Sequence, residues 1–248
     1  MFCVFDCDNA RAWQERSFSN MFQNLLCIEG DDWTVIKLDA GEDVPSSVDQ
    51  YSGIVITGSR HNCRDRATLP WFDPLCRLIQ QIYDNGQPQL YGGCFGCQII
   101  AHALGGCVDY NPAGKFLLKA EVLEITQSVA DSLGVTNPTL HHLNIIVSHG
   151  DCVLELPQSA ILLAKSSSCK HEIFSVGKET HNILACQSHP EFDLDYCIWQ
   201  RIWPSVCSQN KLSESEQTEY RETLLNYSRE QGADALIQLI IEFLHLKK

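Results

Sequence analysis

The sequence predicts an α/β fold in which a mostly parallel central sheet is flanked by helices on both faces. Short apolar runs, typical of buried strands, alternate with helical segments through the first half of the chain. With 248 residues, of which 44% are hydrophobic, the chain can bury one sizeable core. Sites in such folds lie at the carboxyl ends of the strands, so the residues that follow the apolar runs are candidates for function.

The predicted strands are short apolar runs, many of them rich in β-branched residues and bounded by turn-forming residues. In chain order they lie near residues 2–6, 33–38, 53–57, 88–91, 120–126, 144–148, 160–164, 172–176 and 182–187. The predicted helices have apolar positions at helical spacing. They lie near residues 16–27, 71–85, 95–104, 193–203, 214–229 and 233–246.

The last two predicted helices form an amphipathic segment from Ser213 onward. Six of its positions are expected to face the core: Leu224, Tyr227, Leu236, Leu239, Ile240 and Phe243. We expect this segment to pack on the rest of the chain. The alternative is that its apolar stripe is exposed and binds a partner or a second subunit.

The segment from Leu90 to Gln98 has the features of a nucleophile elbow. A short apolar run turns into a helix at Cys94, and Gly92 and Gly96 leave room for the sharp turn. A helix N-terminus favours the thiolate form of a cysteine, which is the form that attacks carbonyl carbon. The sequence therefore predicts Cys94 as a nucleophile, against the simpler interpretation of one buried thiol among thirteen cysteines.

Cys94 and Cys97 also form a Cys-x-x-Cys pair, which is found in redox dithiols and in zinc sites. A zinc site would need a second closely spaced pair of ligands. Other neighbouring pairs lack the usual two-residue spacing: Cys3/Cys7, His61/Cys63 and His141/His142. We therefore expect no metal and no cofactor, and a zinc assay with titration of the two thiols would separate the alternatives.

A second group of candidate residues follows the apolar run that begins at Ile183. This group consists of His189 and Glu191, and Pro190 restricts the backbone between them. Histidine is a suitable base for a thiol, and a carboxylate can hold the imidazole in the required tautomer. A single histidine is more often structural, but this pattern downstream of a cysteine elbow predicts a Cys-His-Glu triad.

Acyl transfer also needs donors for the oxyanion. The apolar run that begins at Gly53 ends at Gly58, whose amide could approach a substrate closely, and the amide of Phe95 directly follows the nucleophile. Removing one such donor raises the activation barrier by about 3 kcal/mol. The alternative for Gly58 is an ordinary turn at the end of a strand.

These motifs resemble the class I glutamine amidotransferase domain, from about Val4 to about Trp203. The amino-acid sequences of residues 149–164, 172–177 and 186–191 most resemble those of the stand-alone γ-glutamyl peptidases of plants. The resemblance implies a flavodoxin-like fold, with a catalytic domain over residues 1–203. The additional C-terminal helices exceed what the resemblance explains, and we expect them to form a helical extension over residues 204–248 that packs on this domain.

The resemblance also implies a role for each matching residue. Cys94 would be the nucleophile, His189 the general base and acid, and Glu191 its orienting partner. Gly58 and Phe95 would form the oxyanion hole. The γ-glutamyl group would be bound by residues from two segments: Gln98, Ser148, His149, Gly150 and Asp151.

Composition limits the partners. With 18 basic against 31 acidic residues and a formal charge of −13, the composition disfavours nucleic acid as a partner. Its longest apolar stretch, from Leu236 to Leu246, is too short and too polar to span a membrane. Thirteen cysteines and no secretory signal favour a cytoplasmic location.

Three arginines lie in the loop after Gly58: Arg60, Arg64 and Arg66. They could bind a substrate carboxylate, although a solvated loop is the simpler interpretation.

Three functions fit these residues. The first is hydrolysis of γ-glutamyl amide bonds in a small-molecule substrate, such as glutathione or its conjugates, through a thioester on Cys94. The second is a glutaminase subunit that delivers ammonia to a separate synthase. The third is a non-catalytic, redox-sensing protein of the same fold. The sequence leaves open whether the chain forms a homodimer or binds a synthase partner.

Overall fold

The computed structural model describes residues 1–8, 13, 16–126, 142–209 and 211–246. Within these ranges the chain forms eleven strands: β1 (Phe2–Asp6), β2 (Trp33–Lys37), β3 (Gly53–Ile56), β4 (Gln89–Gly93), β5 (Cys107–Tyr110), β6 (Leu117–Ile125), β7 (His142–His149), β8 (Asp151–Glu155), β9 (Ala160–Lys165), β10 (Ile173–Val176) and β11 (Ile183–Cys186). It also forms six α-helices: α1 (Phe18–Leu26), α2 (Phe72–Asn85), α3 (Phe95–Ala103), α4 (Trp203–Ser208), α5 (Glu214–Leu225) and α6 (Ala233–Leu244).

Nine strands form one mixed sheet in the order β2-β1-β3-β4-β11-β10-β9-β6-β7. The first five of these pair in parallel, as the alternation of strands and helices predicts. The other four extend the sheet with antiparallel pairs. Because β4 and β11 are parallel neighbours, the segments that follow them emerge side by side at the same edge.

The parallel half of the sheet is buried between two helical layers. Along β1, Cys3 and Phe5 belong to the core under α2 and α3, while Phe2 and Val4 belong to the core under α1 and α6. The sheet is therefore covered on both faces, and its central strands carry apolar side chains on both faces.

The C-terminal helices pack on the sheet. All six positions that the sequence predicts to face the core are buried, which confirms that part of the prediction. Residues of α6 join the core of the parallel half, whereas Tyr220 and Leu224 of α5 pack with the antiparallel strands. No helix in the described part of the chain combines the length and the apolar character that crossing a bilayer requires.

Some elements differ from the sequence prediction. The strands β5 and β8, which pair with each other, are not indicated by the sequence because β5 is largely exposed and β8 follows β7 after Gly150 alone. The helix predicted over 193–203 is a π-helix (Leu194–Ile202) that continues into α4. Pro204 lies in the first turn of α4, where its missing N–H is tolerated.

Candidate active site

Cys94 lies at the junction between β4 and α3. Its backbone has φ 49° and ψ −103°, and it is the one residue other than glycine with a positive φ in the described part of the chain. Its amide donates to the carbonyl oxygen of Cys186 at 2.7 Å, which ties the junction to the end of β11. Such a costly conformation persists only where the surroundings enforce it, and it is common at active sites.

The glycines on either side of Cys94 are required by close packing. A Cβ atom on Gly96 would collide with the carbonyl oxygen of Ile56 in β3, and one on Gly92 would lie 2.6 Å from the backbone of Gly96. The amide of Gly96 donates to the carbonyl of Thr57 at 3.1 Å. The turn is thus held against β3, as expected for an elbow.

His189 and Glu191 follow β11 and form a buried pair. His189 Nδ1 lies 2.6 Å from Glu191 Oε1, and the two residues are 2% and 5% exposed. The amide of His189 donates to the carbonyl of Ile146 at 2.8 Å, and the ring of Phe192 stacks on the imidazole at 4.0 Å. The imidazole is therefore fixed in both orientation and tautomer.

Cys94 and His189 line the same cavity, where their side chains are close enough to interact electrostatically. Burial alone disfavours the imidazolium, but the charges of Glu191 and Cys94 outweigh it and raise the pKa of His189 to about 10. The structure thus brings the three predicted triad residues together in the order sulfur, imidazole, carboxylate. In this arrangement the imidazole can take the proton of the thiol, and the carboxylate stabilises the imidazolium that forms.

The C-terminal part of the chain supports the segment that carries His189. Arg229 Nη1 donates to the carbonyl oxygens of Pro190 and Phe192, both at 3.1 Å, while Arg229 Nε bonds Asp234 of α6 at 3.2 Å. These bonds connect the turn after His189 to the region before α6.

A neighbouring side chain that the sequence does not indicate is Gln187. Its Nε2 lies 3.6 Å from the sulfur of Cys94, and its Oε1 accepts a bond from Gln98 Nε2 at 3.1 Å. Gln98 Nε2 also donates to the main-chain oxygen of Asp151 at 3.0 Å. The position of Gln187, two residues before His189, is the one signal that points to it.

The predicted γ-glutamyl loop borders the same space. Ser148 presents its carbonyl oxygen 3.9 Å from the Cys94 sulfur. His149 Nδ1 contacts the main-chain oxygen of Asp151 at 2.9 Å, and burial lowers the pKa of His149 to about 4. The carboxylate of Asp151 is paired with Arg64, at 2.7 and 2.9 Å, so this arginine is part of the site.

The two predicted oxyanion donors lie beside the triad. A Cβ atom on Gly58 would be 3.4 Å from His189 Cε1, which places the end of β3 next to the imidazole. Phe95 is the first residue of α3, where backbone N–H groups have no partner within the helix. In the described ranges, neither amide donates a hydrogen bond to another protein group.

One cavity of about 730 Å³ contains Cys94, His189, Gln98 and the whole loop from Ser148 to Asp151. Cys97 is fully buried outside it, and all the cysteines are free thiols. Burial raises the pKa of Cys97 well above its usual value. In the portion of the chain that the structure describes, no three His, Cys, Asp or Glu side chains are grouped as metal ligands.

Residues 15–196 match the family Glutamine amidotransferase class-I. The chain belongs to this family. Gamma-glutamyl peptidase 4 of Arabidopsis thaliana is 34% identical over 179 residues, which are 72% of this chain and 69% of the relative. The glutamine-hydrolyzing GMP synthase of Colwellia psychrerythraea is 29% identical over 173 residues, 62% of this chain and 30% of that protein.

A class I glutamine amidotransferase fold is also found by structural comparison. The crystal structure of a glutamine amidotransferase from Thermotoga maritima superimposes with a TM-score of 0.72 over 98% of this chain and 96% of that one, at 17% identity. The predicted fold class and family resemblance are therefore confirmed. Relatives named γ-glutamyl peptidases support a hydrolase of the class I glutamine amidotransferase type.

Proposed function

We propose that the protein hydrolyses γ-glutamyl amide bonds through a γ-glutamyl thioester on Cys94. The observation that carries the proposal is that Cys94 and His189 line one cavity while Nδ1 of His189 is bonded to the buried carboxylate of Glu191. A thiolate paired with an imidazolium is a strong nucleophile, and the imidazolium is an acid ready to protonate a leaving amine.

In the first half of the reaction, the Cys94 sulfur attacks the γ-carbonyl carbon of the substrate. The oxygen gains negative charge and accepts hydrogen bonds from the amides of Gly58 and Phe95. The C–N bond then breaks, and His189 gives its proton to the departing nitrogen. The amine leaves, and the γ-glutamyl group remains as a thioester.

In the second half, water attacks the thioester. Neutral His189 removes a proton from the water, and Glu191 stabilises the imidazolium that forms. The C–S bond breaks, glutamate leaves, and the thiolate–imidazolium pair is restored. No metal or cofactor is needed for either half, because the nucleophile, the acid and the oxyanion donors all come from the chain.

The substrate is proposed to be a small γ-glutamyl compound, such as glutathione or a glutathione conjugate. The loop from Ser148 to Asp151 and Gln98 would bind its γ-glutamyl end, since they line the cavity beside Cys94. The names of the Arabidopsis relatives favour a peptide over glutamine as the substrate.

The test is a panel of γ-glutamyl peptides, with glutamine as comparator, incubated with the purified chain and with Cys94→Ala. We expect the wild type to release glutamate and the variant to be inactive, and we expect mass spectrometry to detect a glutamyl adduct on Cys94. Cys97→Ala is the matched control, because it removes a neighbouring thiol that lies outside the cavity. Full activity in Cys94→Ala would end the proposal.

A second candidate function is a glutaminase subunit that passes ammonia to a synthase. The similarity to part of a glutamine-hydrolyzing GMP synthase favours it. Strong glutamine hydrolysis that appears only with an added synthase partner would support this version. A thiol that becomes oxidised, forms no adduct and hydrolyses nothing would instead support the redox-sensing alternative.

A further inference from the structure

The cavity extends well beyond the residues assigned to the γ-glutamyl group. Its volume of about 730 Å³ falls in the range of about 300–1,000 Å³ that is typical of sites for drug-sized ligands. One of its walls is formed by the end of the π-helix and by α4 with the residues after it, which contribute Arg201, Ser205 and Lys211. This wall has no role in the chemistry at Cys94.

Charge pairing separates the cations of the cavity into two groups. Three of them are neutralised by carboxylates: Arg60 by Asp39 at 3.0 Å, Arg64 by Asp151 at 2.7 Å and Lys115 by Glu216 at 2.9 Å. Arg201 and Lys211 have no carboxylate partner among the residues that the structure describes. In a chain with a formal charge of −13, two such cations on one wall make a local site for an anion.

Arg201 lies on the same side of the site as the proposed acid. The His189 imidazole stacks on Phe192, whose ring lies 6.1 Å from that of Trp13. Tyr196 donates to the main-chain oxygen of Trp13 at 2.9 Å, and Arg201 Nη2 donates to the Tyr196 hydroxyl at 2.9 Å. Since the acid must face the leaving nitrogen, the wall that runs from His189 to Arg201 borders the leaving group.

Lys211 reaches the cavity from the other end of this wall. Its Nζ lies 5.1 Å from the centre of the Phe116 ring, a cation–π contact that orients the ammonium without neutralising it. Phe116 in turn packs beside Gly150, at 3.5 Å from where a Cβ atom would stand. Lys211 is thus held near the cavity with its charge still available.

We propose that Arg201, with Lys211 as a second cation, binds the carboxylate of a peptide leaving group. The preferred substrates are then γ-glutamyl peptides whose released part has a free C-terminal carboxylate. Glutamine, whose leaving group is ammonia, makes no use of either cation. This inference rests on the proposed γ-glutamyl hydrolysis and adds to it the chemistry of the group that leaves.

The test compares γ-Glu-Cys-Gly with its C-terminal amide, two substrates that differ in one charge. We expect the double variant Arg201→Gln/Lys211→Gln to lower kcat/KM for the acid by about 10-fold to 100-fold, mainly through KM, because charged hydrogen bonds to the carboxylate are lost. Its kcat/KM for the amide should fall by a clearly smaller factor, since the neutral amide can accept hydrogen bonds from these residues but forms no ion pair with them.

Two further variants separate binding from structure. Arg201→Lys keeps the charge and should recover part of the preference for the acid. The control Arg77→Gln/Lys178→Gln removes the same net charge outside the cavity and should leave the ratio of acid to amide unchanged. Circular dichroism and thermal unfolding verify that each variant folds.

The outcomes distinguish this inference from the function on which it rests. If the wild type and the double variant hydrolyse both substrates with the same ratio of kcat/KM values, the carboxylate site is wrong while γ-glutamyl hydrolysis stands. If the wild type hydrolyses no γ-glutamyl compound in the panel, both proposals fail.

Discussion

Two segments of this protein contain a histidine followed two residues later by an acidic residue, and the pKa values of the two histidines shift in opposite directions. His149 and His189 are both buried, at 3% and 2% exposure. Nδ1 of His189 meets the carboxylate of Glu191, whereas Nδ1 of His149 meets only the main-chain oxygen of Asp151. The pKa is raised to about 10 in the first case and lowered to about 4 in the second.

The difference teaches that burial and spacing do not make a catalytic histidine. Burial favours the neutral imidazole at both sites. At His189, a carboxylate and a thiol reverse that preference. At His149, the carboxylate two residues later is paired with Arg64 instead. The bond to the main-chain oxygen of Asp151 and the charge of Glu121 offset the loss of water only in part, so the pKa stays low.

The largest expected effect separates the two histidines by activity. His189→Gln should lower kcat for γ-glutamyl hydrolysis by about 10³-fold or more, because both the acid and the base are lost. His149→Gln should lower it by less than about 10-fold, since a neutral ring that contacts a main-chain oxygen takes no part in proton transfer. Steady-state kinetics on the folded variants measure both values. Equal losses would contradict the comparison.

The next effect concerns the carboxylates. Glu191→Gln should lower kcat by about 10²-fold to 10⁴-fold and should lower the pKa of His189, so that the alkaline limit of activity moves to lower pH. Asp151→Asn is the matched control, because it removes a carboxylate but keeps the main-chain contact of His149. A pH profile for each variant measures the shift, and an unchanged profile in Glu191→Gln would break the assignment.

The pH dependence of stability should have opposite signs at the two sites. His189 binds its proton more tightly when folded, so its contribution to the free energy of unfolding is complete below about pH 6.5 and is lost as the pH rises towards about 10. His149 binds its proton less tightly when folded, so stability is lost as the pH falls from about 6.5 to about 4. Urea unfolding of the wild type and of the two glutamine variants, across this range, measures each contribution.

The smallest expected effect tests why the segments differ. Arg64→Gln should destabilise the fold by about 1 kcal/mol, because it leaves the nearly buried carboxylate of Asp151 without its partner. The freed charge should also raise the pKa of His149, which an NMR titration would detect. Arg66→Gln is the control, since its ion pair with Asp73 is on the surface. No change in the titration of His149 would show that Arg64 is not what separates the two segments.

The sequence predicts those parts of the site that depend on local geometry. The glycines beside Cys94 are needed for the turn itself, and the contact between His189 and Glu191 spans only two residues. The apolar runs likewise predict the strands of the main sheet, because burial requires apolar side chains on both faces of parallel strands.

The remaining parts depend on contacts between distant segments. Arg64 and Asp151 are 87 residues apart, and Gln187 reaches Cys94 across 93 residues. The strand β5 has little apolar pattern of its own and forms because β8 lies beside it. The wall that carries Arg201 and Lys211 is likewise set by tertiary packing rather than by a motif.

Through its bonds to the carbonyl oxygens of Pro190 and Phe192, the Arg229 side chain anchors the turn that holds the imidazole. Replacing Arg229 alone would keep Cys94, His189, Glu191 and the packing of α6, yet it would release two carbonyl groups from their anchor. Loss of this one side chain would therefore weaken the orientation of the imidazole towards the sulfur, although every atom of the triad would remain.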